Sequence, residues 1–307
     1  MSGSLRASAF FPRRGRRAPS PLLGALLAIA ALLASQPAWA AGTLRLDFID
    51  VGQGDAALVT SPTGKTVLID GGPRKSSGAL LAFLSSHTHG PLDLILLTHR
   101  HEDHLGGLAA AVNEIGARQL IDAPIPHSGR AYAALLRALE ARGVTVGQAT
   151  RGRRIDLGGG VTMTLVGPPD PPIVGSRSDV NANSVVARVT YGKFAALFAG
   201  DAEAPTEAWL LASGAELGAS VLKVPHHGSR YASGVRFLRA VNARIAIISA
   251  GAGNDYGHPA PQTLERLARS GASVYRTDTD GDVAIETDGK EIQVRAARGR
   301  RERLQTP

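Results

Sequence analysis

The chain has no cysteine among its 307 residues. That excludes disulfides, thiolate nucleophiles and thiolate-held zinc, so any metal must be held by nitrogen and oxygen. An apolar run long enough to cross a bilayer is also missing. The run at residues 22–34 has 13 residues, well short of the roughly 20 that a spanning helix needs. Nothing long and polar enough to be a linker splits the 267 residues after position 40, a length that suits one large core or two small ones. An excess of one charge is lacking too, although the formal net charge is +8. Residues 1–40 carry five arginines and no acid, and residues 295–303 carry five arginines and one glutamate. Between them lie 24 basic and 25 acidic side chains, so the body is not a strongly basic nucleic-acid binder by composition.

The two basic ends have separate readings. Arg13, Arg14, Arg16 and Arg17, the apolar run, and Ala38-Trp39-Ala40 form the n-region, h-region and small-x-small cleavage site of a secretory signal peptide, residues 1–40. An uncleaved inner-membrane signal anchor is the alternative. The Ala- and Arg-rich composition suggests a GC-rich bacterial genome, so the expected destination is the periplasm or the medium, with no stable membrane insertion after cleavage. The basic tail, residues 296–307, is expected to lie outside a single domain spanning 41–295, solvated or in contact with phosphates.

The most informative stretch is Thr98-His99-Arg100-His101-Glu102-Asp103-His104, which reads H-x-H-x-D-H. Imidazole and carboxylate are common metal ligands. His99 and His101, two apart in an extended segment, point to the same side. Asp103 and His104 can turn toward a neighbouring ion as a helix begins. The alternative is a polar helix-start loop with Asp103 near an N-cap. Around this motif, short β-type runs alternate with helical periods in an order that occurs twice. Each half holds a hairpin that ends in an acidic turn, at Asp70 and at Asp201. This order predicts an α/β fold, two sheets packed face to face with helices outside, an αββα sandwich.

H-x-H-x-D-H, the strand-ending Gly200-Asp201 and Pro225-His226-His227-Gly228-Ser229 together resemble the metallo-β-lactamase-fold hydrolases. Phe48 to Asp55, Val67 to Gly72, Asn183-Ser184, Leu222 to Ser229 and Tyr256-Gly257-His258-Pro259 sharpen the resemblance to the C-terminal metallo-hydrolase domain of ComEC competence (DNA-uptake) proteins. The resemblance implies two divalent ions, zinc or manganese. His99 and His101 would bind one ion. Asp103, His104 and His227 would bind the other, and Asp201 would bridge both. Asp103 and His226 are the expected catalytic residues. Asp55, Asp70, Asn183, Ser229 and His258 are expected to meet substrate or to orient the ligands. His87, His89 and His127 lie outside the motifs.

One departure concerns the loop before the bridging aspartate, where many relatives of this kind place another histidine. Here no histidine lies between His127 and His226; Asp179, Asn181, Asn183 and Ser184 occupy the region. That leaves open positions for water and substrate. The implied reaction is hydrolysis of a phosphodiester by metal-bound hydroxide, with DNA, including single-stranded DNA, as substrate. A phosphocholine-type or other small ester is the alternative substrate. A non-catalytic metal-containing DNA-binding module is the alternative class.

Overall fold

The computed structural model describes Met1 and residues 42–125 and 129–306. The rest of the expected export segment, and His127, lie outside these residues. Residues 41–307 form one compact unit.

Its first sheet begins with an antiparallel meander, β1 (Leu44–Phe48), β2 (Ala57–Thr60) and β3 (Thr66–Ile69). Parallel strands continue it: β4 (Leu94–Leu96), β5 (Gln119–Asp122) and β6 (Thr145–Gln148). The second sheet repeats this plan. Strands β7 (Arg154–Gly158), β8 (Val161–Leu165), β9 (Ala187–Tyr191) and β10 (Phe194–Phe198) run antiparallel. Parallel β11 (Val221–Lys223), β12 (Ile245–Ile248) and β13 (Ser273–Arg276) complete it. The chain then returns to the first sheet, where β14 (Val283–Thr287) pairs with β1 and is followed outward by β15 (Glu291–Ala296) and β16 (Arg301–Gln305).

The period-2 alternation of side chains builds the layers. Leu44, Leu46 and Phe48 face Val161, Met163, Phe194 and Phe198 in the core between the sheets, where the Phe48 and Phe198 rings stack with centroids 5.7 Å apart. The alternate residues point outward. Leu58 and Leu68 pack under helices Ser77–His87, Leu108–Glu114 and Arg130–Ala141. Ala195 and Leu197 pack under helices Ala204–Ala212, Val235–Val241 and Pro261–Ser270. The expected αββα sandwich is the observed fold.

The basic tail is a correction. Arg301–Gln305 is a strand laid along β15, with Leu304 against the core and Glu302 accepting hydrogen bonds from Tyr275 Oη and Ser273 Oγ, both at 2.9 Å. Only Leu304 of its five residues is apolar, so the segment carries no hydrophobic signature that would mark it as a strand. His87 ends a helix and stacks on Phe83 at 3.9 Å.

Candidate metal centre

The centre sits beyond the C-terminal ends of the parallel strands, where open α/β sheets gather their ligands. His99 follows β4, Asp201 follows β10, and His226 and His227 follow β11. A short helix, Glu102–Leu105, with His101 as N-cap, turns Asp103 and His104 inward. Asp103 is therefore inside that turn rather than at its cap. Backbone contacts are close here. The Asp55 N–H donates to Asp103 O at 3.1 Å, and a Cβ at Gly54 (φ +146°) would sit only 2.3 Å from that oxygen. Five described non-glycine residues have positive φ, and three of them, Asp70, His226 and His227, belong to this site. Left-handed backbone costs roughly 1–2 kcal/mol per residue; here it turns two successive imidazoles toward Asp201.

Two groups of ligand atoms, each group gathered within 4.8 Å, share Asp201: His99 with His101, and Asp55 with His104 and His227. Around Asp201 Oδ1 lie His104 Nε2 at 3.2 Å and His227 Nε2 at 3.7 Å; around Oδ2 lie His99 Nε2 and His226 Nε2, each at 3.6 Å. His101 Nδ1 is 3.1 Å from His99 Nε2, and Asp103 Oδ2 is 3.2 Å from His227 Nε2. Donors sharing one tetrahedral ion at 2.0–2.2 Å stand about 3.3 Å apart, close to these spacings. His104 Nε2, His227 Nε2 and Asp201 Oδ1 are buried with no hydrogen-bond partner. A buried cluster of orphaned nitrogen and carboxylate atoms at such spacings fits a divalent cation.

Asp55 and Asp103 compete for the second group. Asp55 Oδ2 is engaged by Lys223 Nζ at 2.6 Å, and Oδ1 faces His227 Nδ1 at 3.0 Å. Asp55 therefore lies behind the imidazole, on the ring nitrogen that also faces Ser249 O at 3.0 Å. Asp103 lies in front, on the Nε2 side. Asp103 is accordingly the better ligand, and Asp55 orients His227. Asp70 does the same for His104. It meets Nδ1 at 2.8 Å and is itself fixed by the Thr98 N–H (2.8 Å) and Oγ1 (2.6 Å). Asp55 and Asp70 are thus buried beneath the candidate ligands, away from any substrate.

Electrostatics follow from this packing. Burial opposes charge on Asp201, yet the His104, His227 and His99 imidazoles hold its carboxyl well below the usual range. Burial also opposes charge on Asp55, but Lys223 and His227 bring it down to about 2. His227 is buried too, and Asp201 and Asp55 push it up to about 10. His99 goes the other way: burial and then the neighbouring His104 charge keep it well below the ordinary imidazole value.

The centre opens into a cleft of about 850 Å³. Ser229 and His258 line it. Asn183 does not. Its side chain donates to Ile173 O and Asp179 O, both at 2.7 Å, and its Oδ1 accepts from the Ile173 N–H at 2.8 Å, so it braces the loop before β9. Asn181, on the same short helix Asp179–Ala182, reaches the cleft instead. Glu203, Lys223, Arg177, Arg230, Tyr231 and Tyr256 have no role assigned by sequence. Lys223, a charge in an apolar strand, Glu203, two residues past the bridging aspartate, and Tyr256, in the Tyr256-Gly257-His258-Pro259 motif, carried a local signal.

The chain is similar to ComE operon protein 3 of Bacillus subtilis (29% identical over 257 residues, 78% of this chain and 32% of that protein). It is also similar to Recombination protein 2 of Haemophilus influenzae (29% over 269 residues, 86% of this chain and 31% of that protein). It thus spans about a third of the length of these relatives. Among solved structures, the metallo-beta-lactamase fold protein YhfI of Bacillus subtilis shares the fold, with a TM-score of 0.52, 11% identity, and 80% of this chain and 100% of that chain covered. The model of the Metallo-beta-lactamase superfamily matches residues 49–252, a range that contains each candidate ligand described above, and the chain belongs to that superfamily.

Proposed function

We propose that this protein is an exported metal-dependent phosphodiesterase whose substrate is a DNA strand. The observation that carries the reading is the cleft itself. A histidine–aspartate centre lies at its floor, and Arg177, Arg230, Tyr231 and Tyr256 stand on its rim. Arginine suits phosphate, and exposed aromatic faces suit unstacked bases. Tyr256 and Tyr231 are 69% and 46% exposed. They are the only exposed aromatic side chains among the large apolar residues described. Arg177 lies 3.9 Å and Arg230 5.6 Å from the Tyr231 ring centre. Guanidinium groups in those positions favour an anionic ligand over a quaternary ammonium, and so a nucleic-acid backbone over a phosphocholine headgroup. The similarity to a protein named Recombination protein 2 agrees with a DNA substrate.

Divalent ions, when bound, activate water and stabilise the charge that develops in an in-line displacement. Zinc and manganese both suit this nitrogen- and oxygen-only set. The chain's own residues do the rest. His99, His101, His104, Asp103, Asp201 and His227 would hold the ions. Asp55 and Asp70 fix the ring orientations. Arg230 and Arg177 would grip phosphates beside the scissile group, and Tyr256 would hold a base. Export rests on the leader at residues 1–40, and periplasmic protein should begin at or near Ala41.

The test uses the mature protein supplied with Zn²⁺ or Mn²⁺, a small chromogenic phosphodiester and a labelled single-stranded oligonucleotide. Asp103→Asn should lower kcat on both substrates by about 10²-fold or more. Tyr256→Ala should weaken oligonucleotide affinity by roughly 5- to 100-fold, as for one stacked base, and spare the small diester. Absence of turnover on every phosphodiester by the metal-loaded protein would refute the catalytic reading. Equal losses on the two substrates for Tyr256→Ala would refute the strand-binding one.

A further inference from the structure

Two of the rim side chains, Arg230 and Tyr231, sit on loop 229–234, and both residues are exposed. The backbone beneath them is tied down. Ser229 O accepts from Thr263 Oγ1 at 2.8 Å, and Tyr231 O accepts from the Ala204 N–H at 3.1 Å. The Arg266 guanidinium holds three more carbonyls. Its Nε donates to Ser233 O at 2.8 Å, and its Nη2 donates to Ala232 O at 2.8 Å and Arg230 O at 3.2 Å. Five successive carbonyls, from Ser229 to Ser233, are thus held by helices Ala204–Ala212 and Pro261–Ser270.

Glu207 secures the far end of the loop. Its Oε1 accepts the Ser233 N–H at 2.5 Å and its Oε2 accepts the Gly234 N–H at 2.9 Å. The fit is close: Ser233 has φ of +61°, and a Cβ at Gly234 would sit 2.9 Å from Oε2. Glu207 is only 4% exposed, and a carboxylate taken out of water is costly unless it is well bonded. Surface loops commonly leave their polar backbone groups to water. This one takes its partners from two charged side chains on neighbouring helices. Neither Glu207 nor Arg266 is among the described residues that line the cleft. Their effect on a ligand must pass through the loop. A strand that met Arg230 and Tyr231 on a mobile loop would have to order the backbone as well as the side chains, and a backbone fixed in advance removes that cost.

We infer that Glu207 and Arg266 are positioning residues, which hold loop 229–234 in the shape in which Arg230 and Tyr231 receive a DNA strand. The inference rests on the proposed reading of the cleft as a strand-binding site.

The experiment measures Kd of the mature protein, supplied with Zn²⁺, for a labelled single-stranded oligonucleotide by fluorescence anisotropy. Glu207→Gln keeps the size of the side chain but replaces one accepting oxygen with a donor. It should weaken binding by about tenfold, the scale of ordering two long side chains on binding. The sign discriminates, because removing a negative charge would by itself tighten the binding of a polyanion. Arg266→Lys keeps the charge but loses the planar fork, and should weaken binding to a similar extent. Either loss should largely vanish in a protein that already carries Arg230→Ala and Tyr231→Ala, and should add in full to that of Tyr256→Ala, whose ring stands on another loop. Trypsin should cut after Arg230 faster in both variants than in wild type, as local opening of the loop requires. Thermal unfolding separates a loosened loop from a lost fold, and Arg266→Lys carries the test if Glu207→Gln unfolds. Unchanged or tighter binding by the folded variants, or a loss that persists in full without Arg230 and Tyr231, would overturn the positioning role while leaving the strand-binding reading intact. Failure of wild type to bind the oligonucleotide would overturn that reading, and this inference with it.

Discussion

Lys223→Met probes a buried ion pair. Lys223 Nζ and Asp55 Oδ2 are 2.6 Å apart, with side chains only 5% and 7% exposed. At an effective dielectric constant near 20, such a pair attracts by on the order of 6 kcal/mol. Desolvation cancels much of that in the intact pair, but removing Lys223 leaves the buried Asp55 carboxylate with His227 as its one remaining cationic neighbour among those that lower its pKa most. Breaking a buried pair typically costs about 3–5 kcal/mol. In a domain of this size each kcal/mol lowers Tm by roughly 2–4 °C, so Lys223→Met should unfold on the order of 10 °C below wild type. The assay is thermal unfolding in excess chelator, because bound ions would add their own stabilisation. Adding Asp55→Asn removes the stranded charge and should restore most of the lost stability. It should not restore metal affinity, because the carboxylate behind His227 is gone; a loss of ~10–100-fold is expected. The sign with pH follows from Asp55. Its folded pKa is depressed from 3.8 to about 2, so its stabilisation is fully present above pH 3.8 and disappears as pH falls through about 2. Lys223→Met should therefore unfold at higher pH than wild type during acid titration. A single variant as stable as wild type, or a double variant less stable than the single, would refute the reasoning.

Two further outcomes follow from other parts of the molecule. His227 in the metal-free protein is raised from 6.5 to about 10, so stability from its charged form is complete below pH 6.5 and lost as pH rises through 10. A cation must displace that proton. Apparent metal affinity should thus rise ~tenfold per pH unit for each proton released, levelling near pH 10; calorimetric titrations with the same affinity at pH 7 and pH 9 would contradict this. Ending the chain after Arg300 removes β16, its ladder to β15 and the Glu302 contacts with Tyr275 and Ser273. Tm should fall by several degrees, whereas an unchanged melting curve would mean that the strand contributes nothing to the fold.

The sequence by itself determined the candidate ligand motif and the layer architecture, because both depend on local periodicity. Two histidines spaced by one residue at a strand end share a side of the chain whatever surrounds them. Alternating apolar residues in Leu44–Phe48 mark the face turned to the core, whereas the continuous apolar run Phe194–Phe198 is buried on both faces. The tertiary structure decided what the imidazoles lean on. Asp55 meets Lys223 and His227 only because the two sheets pack face to face and bring their strand ends together. Asn181 rather than Asn183 enters the cleft because a four-residue helix, capped by Ser178, turns two neighbouring amides in opposite directions. Residues 301–305 join the sheet because Glu302 and Leu304 find partners on β13 and in the core, contacts that no local pattern of arginines can announce. Spacing along a chain fixes which side chains point together. Which of them meet from distant segments depends on packing, and packing exists only once the whole core has formed.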